Sequence, residues 1–169
     1  MTRLSASSFD LHPRAASPPA YERNQSVGVV HVGVGAFHRA HQAVYFDALM
    51  AQGEPNWMIQ GASLRAPTVA DQMNPQDGLY TLVVRDGAAE RFRIVGAIKG
   101  VTVAPSAPDH LIHAMAEPTV DLVTLTVTEK GYCIDPGTGT LRMDDPDVYA
   151  DIRNIYHPKT APGCLVAGL

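Results

Sequence analysis

Val30-His31-Val32-Gly33-Val34-Gly35-Ala36-Phe37-His38 is the stretch whose reading decides the fold. A β-branched run beginning at Val27 ends at Gly33, and a helical pattern follows over residues 37–50. In that pattern Phe37, Ala40, Val44 and Ala48 recur at spacings of three and four. A strand that runs through G-x-G straight into a helix has a physical use. Gly33 permits the tight turn. Gly35 has no side chain, so a pyrophosphate can approach the backbone. The helix start then offers unbonded N–H groups and the favourable end of its dipole. The third glycine of the usual G-x-G-x-x-G is replaced by His38, which alters how closely helix and strand pack. The same turn also occurs as a plain glycine turn in α/β proteins that bind no nucleotide, so pattern alone leaves both readings open. His38 and His41 lie three apart on one helix turn, a spacing suited to metal ligands. No further ligand is evident nearby, and a metal would compete with phosphate for the same helix start, so no metal is assigned. One of the pair is expected to pack inward in place of the missing glycine and the other to bond locally. His31, within a strand, reads as a core or edge histidine.

Residues 57–64 read as a second strand, which makes the first third a βαβ unit with a parallel pair. Such a strand commonly ends in an acid that grips a ribose 2′-hydroxyl. Here it runs Gly61-Ala62-Ser63-Leu64-Arg65 with no acid, which leaves room for the 2′-phosphate of NADP. The missing acid also argues against a methyltransferase. Residues 79–84 and 91–95 flank Asp86-Gly87 and predict an antiparallel hairpin with a longer loop, an elaboration on the sheet. Residues 108–116 read as a helix ended by Pro118. VDLVTLTVT at 120–128 is the strongest strand pattern and reads as a central parallel strand covered on both faces. Thr128, Glu129 and Lys130 follow it, where open α/β sheets bind ligands; an adjacent Glu–Lys pair is as commonly a solvated loop. A Gly-rich loop, a short helix at 147–153 and a helix over 161–169 complete the chain. Residues 1–26, rich in Ser, Ala and Pro, read as an extended arm. The whole predicts an α/β, doubly wound, mostly parallel sheet with a hairpin elaboration.

A net charge of −4 gives no electrostatic pull toward nucleic acid or an anionic membrane. No apolar run is long enough to span a bilayer, and no signal-peptide pattern is evident. The two cysteines, Cys133 and Cys164, form no framework and suit a reducing cytoplasm.

GVGAFHRAHQAVYFDALM at 33–50, QDGLYTL at 76–82, LTVTEKGYC at 125–133 and the stretch 158–169 together resemble the polyol-specific long-chain dehydrogenases. That family includes mannitol 2-dehydrogenase and fructuronate reductase (mannonate oxidoreductase). GxGxFHRAH carries most of the resemblance, because His at the third glycine position is a habit of the family. The resemblance implies an NAD(P)-binding Rossmann-type domain over 27–169. It also implies a helical C-terminal domain, bearing a catalytic lysine with Asn and His partners, that this sequence does not contain. Lys99, Lys130 and Lys159 match no catalytic lysine, so no catalytic residue is carried over. The cofactor contacts that the resemblance implies are Gly33, Gly35, Ala36 and Phe37 at the phosphate turn, Ser63, Leu64 and Arg65 after the second strand, and Thr128, Glu129 and Lys130 on the nicotinamide side. Some relatives carry an acidic pair near Pro67 and Thr68 that is missing here. TEKGYC is closer to fructuronate reductase, FDALMAQGE to mannitol dehydrogenase.

The expected parent therefore exchanges hydride between NAD, or NADP, and a polyol/ketose or hexuronate pair. The rival reading is a non-catalytic dinucleotide-binding fragment. The sheet is expected to be incomplete at its C-terminal end, with self-association through uncovered surface.

Overall fold

The computed structural model describes residues 3–8, 16–126 and 129–154, the side chains of 129, 130 and 154 excepted. It divides into two compact units, residues 1–126 and 127–169.

In the first unit β1 (Ala16–Ser17) precedes β2 (Val27–Val32), α1 (Ala36–Ala40), α2 (Gln42–Ala51), β3 (Met58–Ser63) and α3 (Thr68–Met73). Then come β4 (Tyr80–Asp86), β5 (Ala89–Val95), β6 (Ile98–Val103), α4 (Pro108–Ala116) and β7 (Leu122–Leu125). Four strands form a parallel sheet in the order β6-β3-β2-β7. The chain lays down β2, β3 and β6 in one direction and then crosses through α4 to the other side of β2. The order therefore reverses between β2 and β7, and open α/β sheets bind ligands at that switch point. Successive residues of β2 face opposite sides. Val29 packs with Ala43, Met50, Met58 and Met73 on the α2–α3 side, and Val30 packs with Ala62 and Leu111 on the α4 side.

The predicted strands at 27–32 and 57–64 and the helix at 108–116 are present. Other expectations need correction. The single helix over 37–50 is two helices, broken at His41 (φ −131°, ψ −82°). The buried stripe of α2 is Ala43, Asp47 and Met50, whereas Phe37 and Ala40 are exposed. The pattern misled because a carboxylate sits in the stripe. Asp47 accepts hydrogen bonds from Tyr21 Oη, the Gly96 N–H and the Arg93 guanidinium. The hairpin turns through only Gly87 and Ala88. It joins β1 in a separate sheet of order β1-β5-β4 and is no extension of the parallel one. β6 and α3 were not expected, because Lys99 and Gly100 interrupt the apolar pattern of β6. β7 covers only four residues and is an edge among the described residues. Leu122, Val123 and Leu125 are partly exposed, so among the described residues it lacks the cover on both faces that the pattern predicts.

The arm is more firmly held than its composition suggested. Arg23 donates to the carbonyls of Gly96, Ile98 and Asp77, and Leu4 is buried with Leu79 and Ile94. The outer edge of β6 is capped by a side chain. Asn74 Nδ2 donates to the Val101 carbonyl (3.0 Å), and its Oδ1 accepts the Val101 N–H (2.8 Å).

In the second unit a 3₁₀ turn (Glu129–Tyr132) precedes a small bridge between Ile134 and Leu141 and then α5 (Pro146–Asn154), close to the predicted 147–153. The predicted helix at 161–169 lies outside the described residues. Among the described residues, no helix is long and apolar enough to cross a membrane.

Candidate functional site: the glycine turn at the sheet switch point

The turn that leaves β2 is fixed by short contacts on every side. Gly33 has φ +95°, a region that side chains disfavour, and a Cβ there would stand 2.3 Å from the Thr126 carbonyl oxygen. Its N–H donates to the Ala62 carbonyl (2.9 Å), and the Gly35 N–H closes a tight bond onto the Gly33 carbonyl (2.7 Å). Gly33 is thus required by the protein itself.

Gly35 is different. Its φ of −88° and ψ of −176° are ordinary extended backbone, and a Cβ there would meet nothing nearer than 3.8 Å. The fold has room for a side chain where the sequence keeps none. Just beyond it, α1 starts without a side-chain cap, and the N–H groups of Ala36, Phe37 and His38 have no partner among the described residues. Arg39 curls back so that its Nε donates to the Gly35 carbonyl (3.3 Å), which brings a cation beside the turn. A glycine cradle with three unbonded donors and a neighbouring guanidinium fits a phosphate-bearing ligand.

Below the turn lies a buried polar layer. His38 is fully buried and stacks on His31, with ring centroids 3.5 Å apart and planes within 8°. His31 is held by Thr124 Oγ1 (2.8 Å) and Thr126 Oγ1 (3.1 Å). His38 Nδ1 donates to Gln42 Oε1 (2.9 Å), which leaves Nε2 as a buried acceptor with no partner among the described residues. Burial, reinforced by the neighbouring His38, pushes the His31 ring down to about 4. Burial also lowers His38. Both rings are therefore neutral near pH 7. His38 thus packs inward, as the sequence suggested, whereas His41 is exposed and stacks on Phe37 (centroids 5.0 Å apart) in place of the local hydrogen bond expected of it.

The close-packing glycine displaced from position 38 has a counterpart on the neighbouring strand. A Cβ on Gly61 would stand 2.5 Å from Val34 Cγ2, so Gly61 is what lets the turn settle onto β3. Sequence reading missed Gly61, Thr124 and Thr126. It also missed Tyr80, whose hydroxyl donates to the Arg39 carbonyl and braces the end of α1 against the hairpin.

The structure brings Gly33, Gly35, Ala36 and Phe37 together, with Ala36 and Phe37 exposed at the turn. Ser63 closes the carboxyl end of β3, its hydroxyl donating to the Ala66 carbonyl (2.6 Å). Leu64 packs on the Val30–Ala62 cluster, and Arg65 is exposed without an ion pair among the described residues. Thr128 lies outside the described residues. Glu129 and Lys130 open the 3₁₀ turn of the second unit. Two open clefts of about 360 and 420 Å³ lie elsewhere, sharing Gln60 and His110 and including no residue of the turn.

Strand order, switch point and turn together define a Rossmann-type α/β domain. The chain belongs to the mannitol dehydrogenase family: the family described as "Mannitol dehydrogenase Rossmann domain" matches residues 27–169. It is 43% identical over 161 residues to mannitol 2-dehydrogenase of Cereibacter sphaeroides, covering 92% of this chain and 33% of that protein. It is 40% identical over 157 residues to the enzyme of the same name from Pyrenophora tritici-repentis, covering 90% and 28%. Its fold matches the Pseudomonas fluorescens mannitol 2-dehydrogenase ternary complex with NAD and D-mannitol (TM-score 0.87, 35% identity, 99% of this chain and 35% of that one). The chain thus spans about a third of the length of these relatives.

Proposed function

We propose that this chain is the dinucleotide-binding part of an oxidoreductase that exchanges hydride between NAD and a polyol/ketose pair such as mannitol and fructose. The observation that carries the reading is Gly35, a glycine that neither backbone angle nor neighbouring atoms require, set beside three unbonded amides at the switch point. Its value lies in what approaches from outside, and a pyrophosphate has the shape and charge to do so. Bound there, the cofactor supplies the hydride acceptor. Gly33 shapes the turn, the amides of Ala36 to His38 hold the phosphate, and Arg39 adds positive charge. Thr128, Glu129 and Lys130 are assigned to the nicotinamide side from the family resemblance. No lysine here matches the family's catalytic lysine, so the general base is assigned to another part of the whole enzyme.

A second cofactor reading rests on Arg65. It is exposed, carries no ion pair among the described residues, and stands where an acid would select NAD. On that reading NADP binds at least as well. Calorimetric titration of the chain with NAD and with NADP tests both. Saturable one-to-one binding is expected, and the ratio of the two affinities decides the preference. The absence of saturable binding by either would overturn the proposed function.

A further inference from the structure

We propose that His38 is a positioning residue for the dinucleotide: its ring, stacked on His31, sets the depth at which the turn of residues 33–37 sits against β7. This rests on the dinucleotide reading above and deepens it. Position 38 is where the motif ordinarily has glycine, so that the helix can press onto the strand. Here the same place holds a whole imidazole, fully buried and parallel to a second one 3.5 Å away. The second ring is fixed by two hydroxyls, Thr124 Oγ1 within β7 and Thr126 Oγ1 just after it. Thr126 also touches the turn directly, its carbonyl being the atom that a Gly33 side chain would strike. The turn is thereby gauged twice against one strand. On one side Thr126 meets Gly33. On the other, β7 holds His31, His31 supports His38, and His38 carries the start of α1. The His38 ring touches no ligand in this scheme; it acts by placing the backbone amides of residues 36–38.

The buried Nε2 of His38 lacks a partner among the described residues, which disfavours the folded state. Packing alone would be served better by an apolar ring. The flat ring is what the position needs, and three variants of the full chain separate the possibilities. His38→Phe keeps the stack and removes both polar ring atoms, the orphaned Nε2 and the Nδ1 that bonds Gln42. His38→Leu keeps most of the volume and removes the flat ring. His38→Ala removes both. NAD affinity is measured by calorimetry well below each variant's melting temperature, so that a loss of folded protein does not register as a loss of affinity. His38→Leu and His38→Ala are expected to bind about tenfold more weakly or worse, the fold-change that follows from misaligning an amide hydrogen bond to a charged phosphate. His38→Phe is expected to stay within about threefold of wild type, because it keeps the flat ring although it gives up the Gln42 bond. Should His38→Ala fail to fold, the Leu-to-Phe comparison decides alone. Wild-type affinity in His38→Leu, with binding lost in a Gly35→Val control, overturns the positioning role and leaves the turn as the binding site. Wild-type affinity in both overturns the site and the proposal with it. Equal weakness of Phe and Leu overturns the stack as the operative feature.

Discussion

Exchanging the two glycines of the turn one at a time separates what the fold requires from what the ligand requires. Gly35→Val places a branched side chain at an extended position (φ −88°) where the nearest protein atom to the new Cβ is 3.8 Å away. Folding should hardly notice, and the change in unfolding free energy should stay within about 0.5 kcal/mol. A phosphate approaching the same backbone meets the new methyl groups. Forcing extra carbons into a fitted contact costs about 1–3 kcal/mol, which weakens NAD binding about 5- to 150-fold. Gly33→Ala should behave oppositely. It demands a φ of +95° from a residue with a Cβ, at about 1–3 kcal/mol, and drives that Cβ to 2.3 Å from the Thr126 carbonyl. Neither backbone can yield cheaply, so a loss of at least about 2 kcal/mol is expected. Urea melts read the stabilities, and calorimetry at 25 °C reads the affinities. The reasoning is refuted if Gly35→Val binds NAD as tightly as wild type, or if it unfolds as easily as Gly33→Ala.

Three further outcomes follow from other features. The His31 ring is held near 4 against an unfolded value of about 6.5, so its stabilising contribution is complete above about pH 6.5 and is lost as pH falls toward 4, at about 1.4 kcal/mol per pH unit. Urea melts between pH 7 and 4 should show this slope reduced in His31→Gln, and an unchanged slope would remove the histidine from the account. Asp47→Ala strands the Gly96 N–H, Tyr21 Oη and Arg93 together, and should cost about 3 kcal/mol by denaturant melt; a loss under about 1 would show the cluster to be incidental. Spectrophotometry with mannitol, fructose or fructuronate should find no cofactor turnover by this chain alone, because an absent general base alone typically costs a factor of about 10² to 10⁴; turnover above a blank would contradict the assignment of the base elsewhere.

The turn was legible in the sequence because its determinants are local. A β-branched run, two glycines and a helix pattern follow one another without a gap, and Gly33 adopts the backbone angle that its place in the pattern demands. The inward turn of His38 was legible for the same reason. What escaped depends on atoms far apart in the chain. The buried face of α2 was misread because Asp47 owes its burial to Tyr21 of the arm and to Arg93 and Gly96 at the end of β5, all distant in the chain. β6 was missed because Lys99 and Gly100 look unlike a strand, although Arg23 and Asn74 complete its hydrogen bonding from outside. β7 reads as a central strand, yet among the described residues it lies at an edge. Propensity reports that a segment is extended, whereas its neighbours decide whether it lies at an edge.

Asn74 gives the parallel sheet a direction of growth. A strand recruits another through the alternating donors and acceptors along its free side, and on β6 one such pair is already answered by a single carboxamide that imitates a passing backbone. Arg23 occupies the Ile98 carbonyl a few residues earlier. That flank behaves like the terminated end of a polymer, closed to further addition without any strand being present. Among the described residues, the flank left open is thereby the opposite one at Leu122–Leu125, next to the glycine turn.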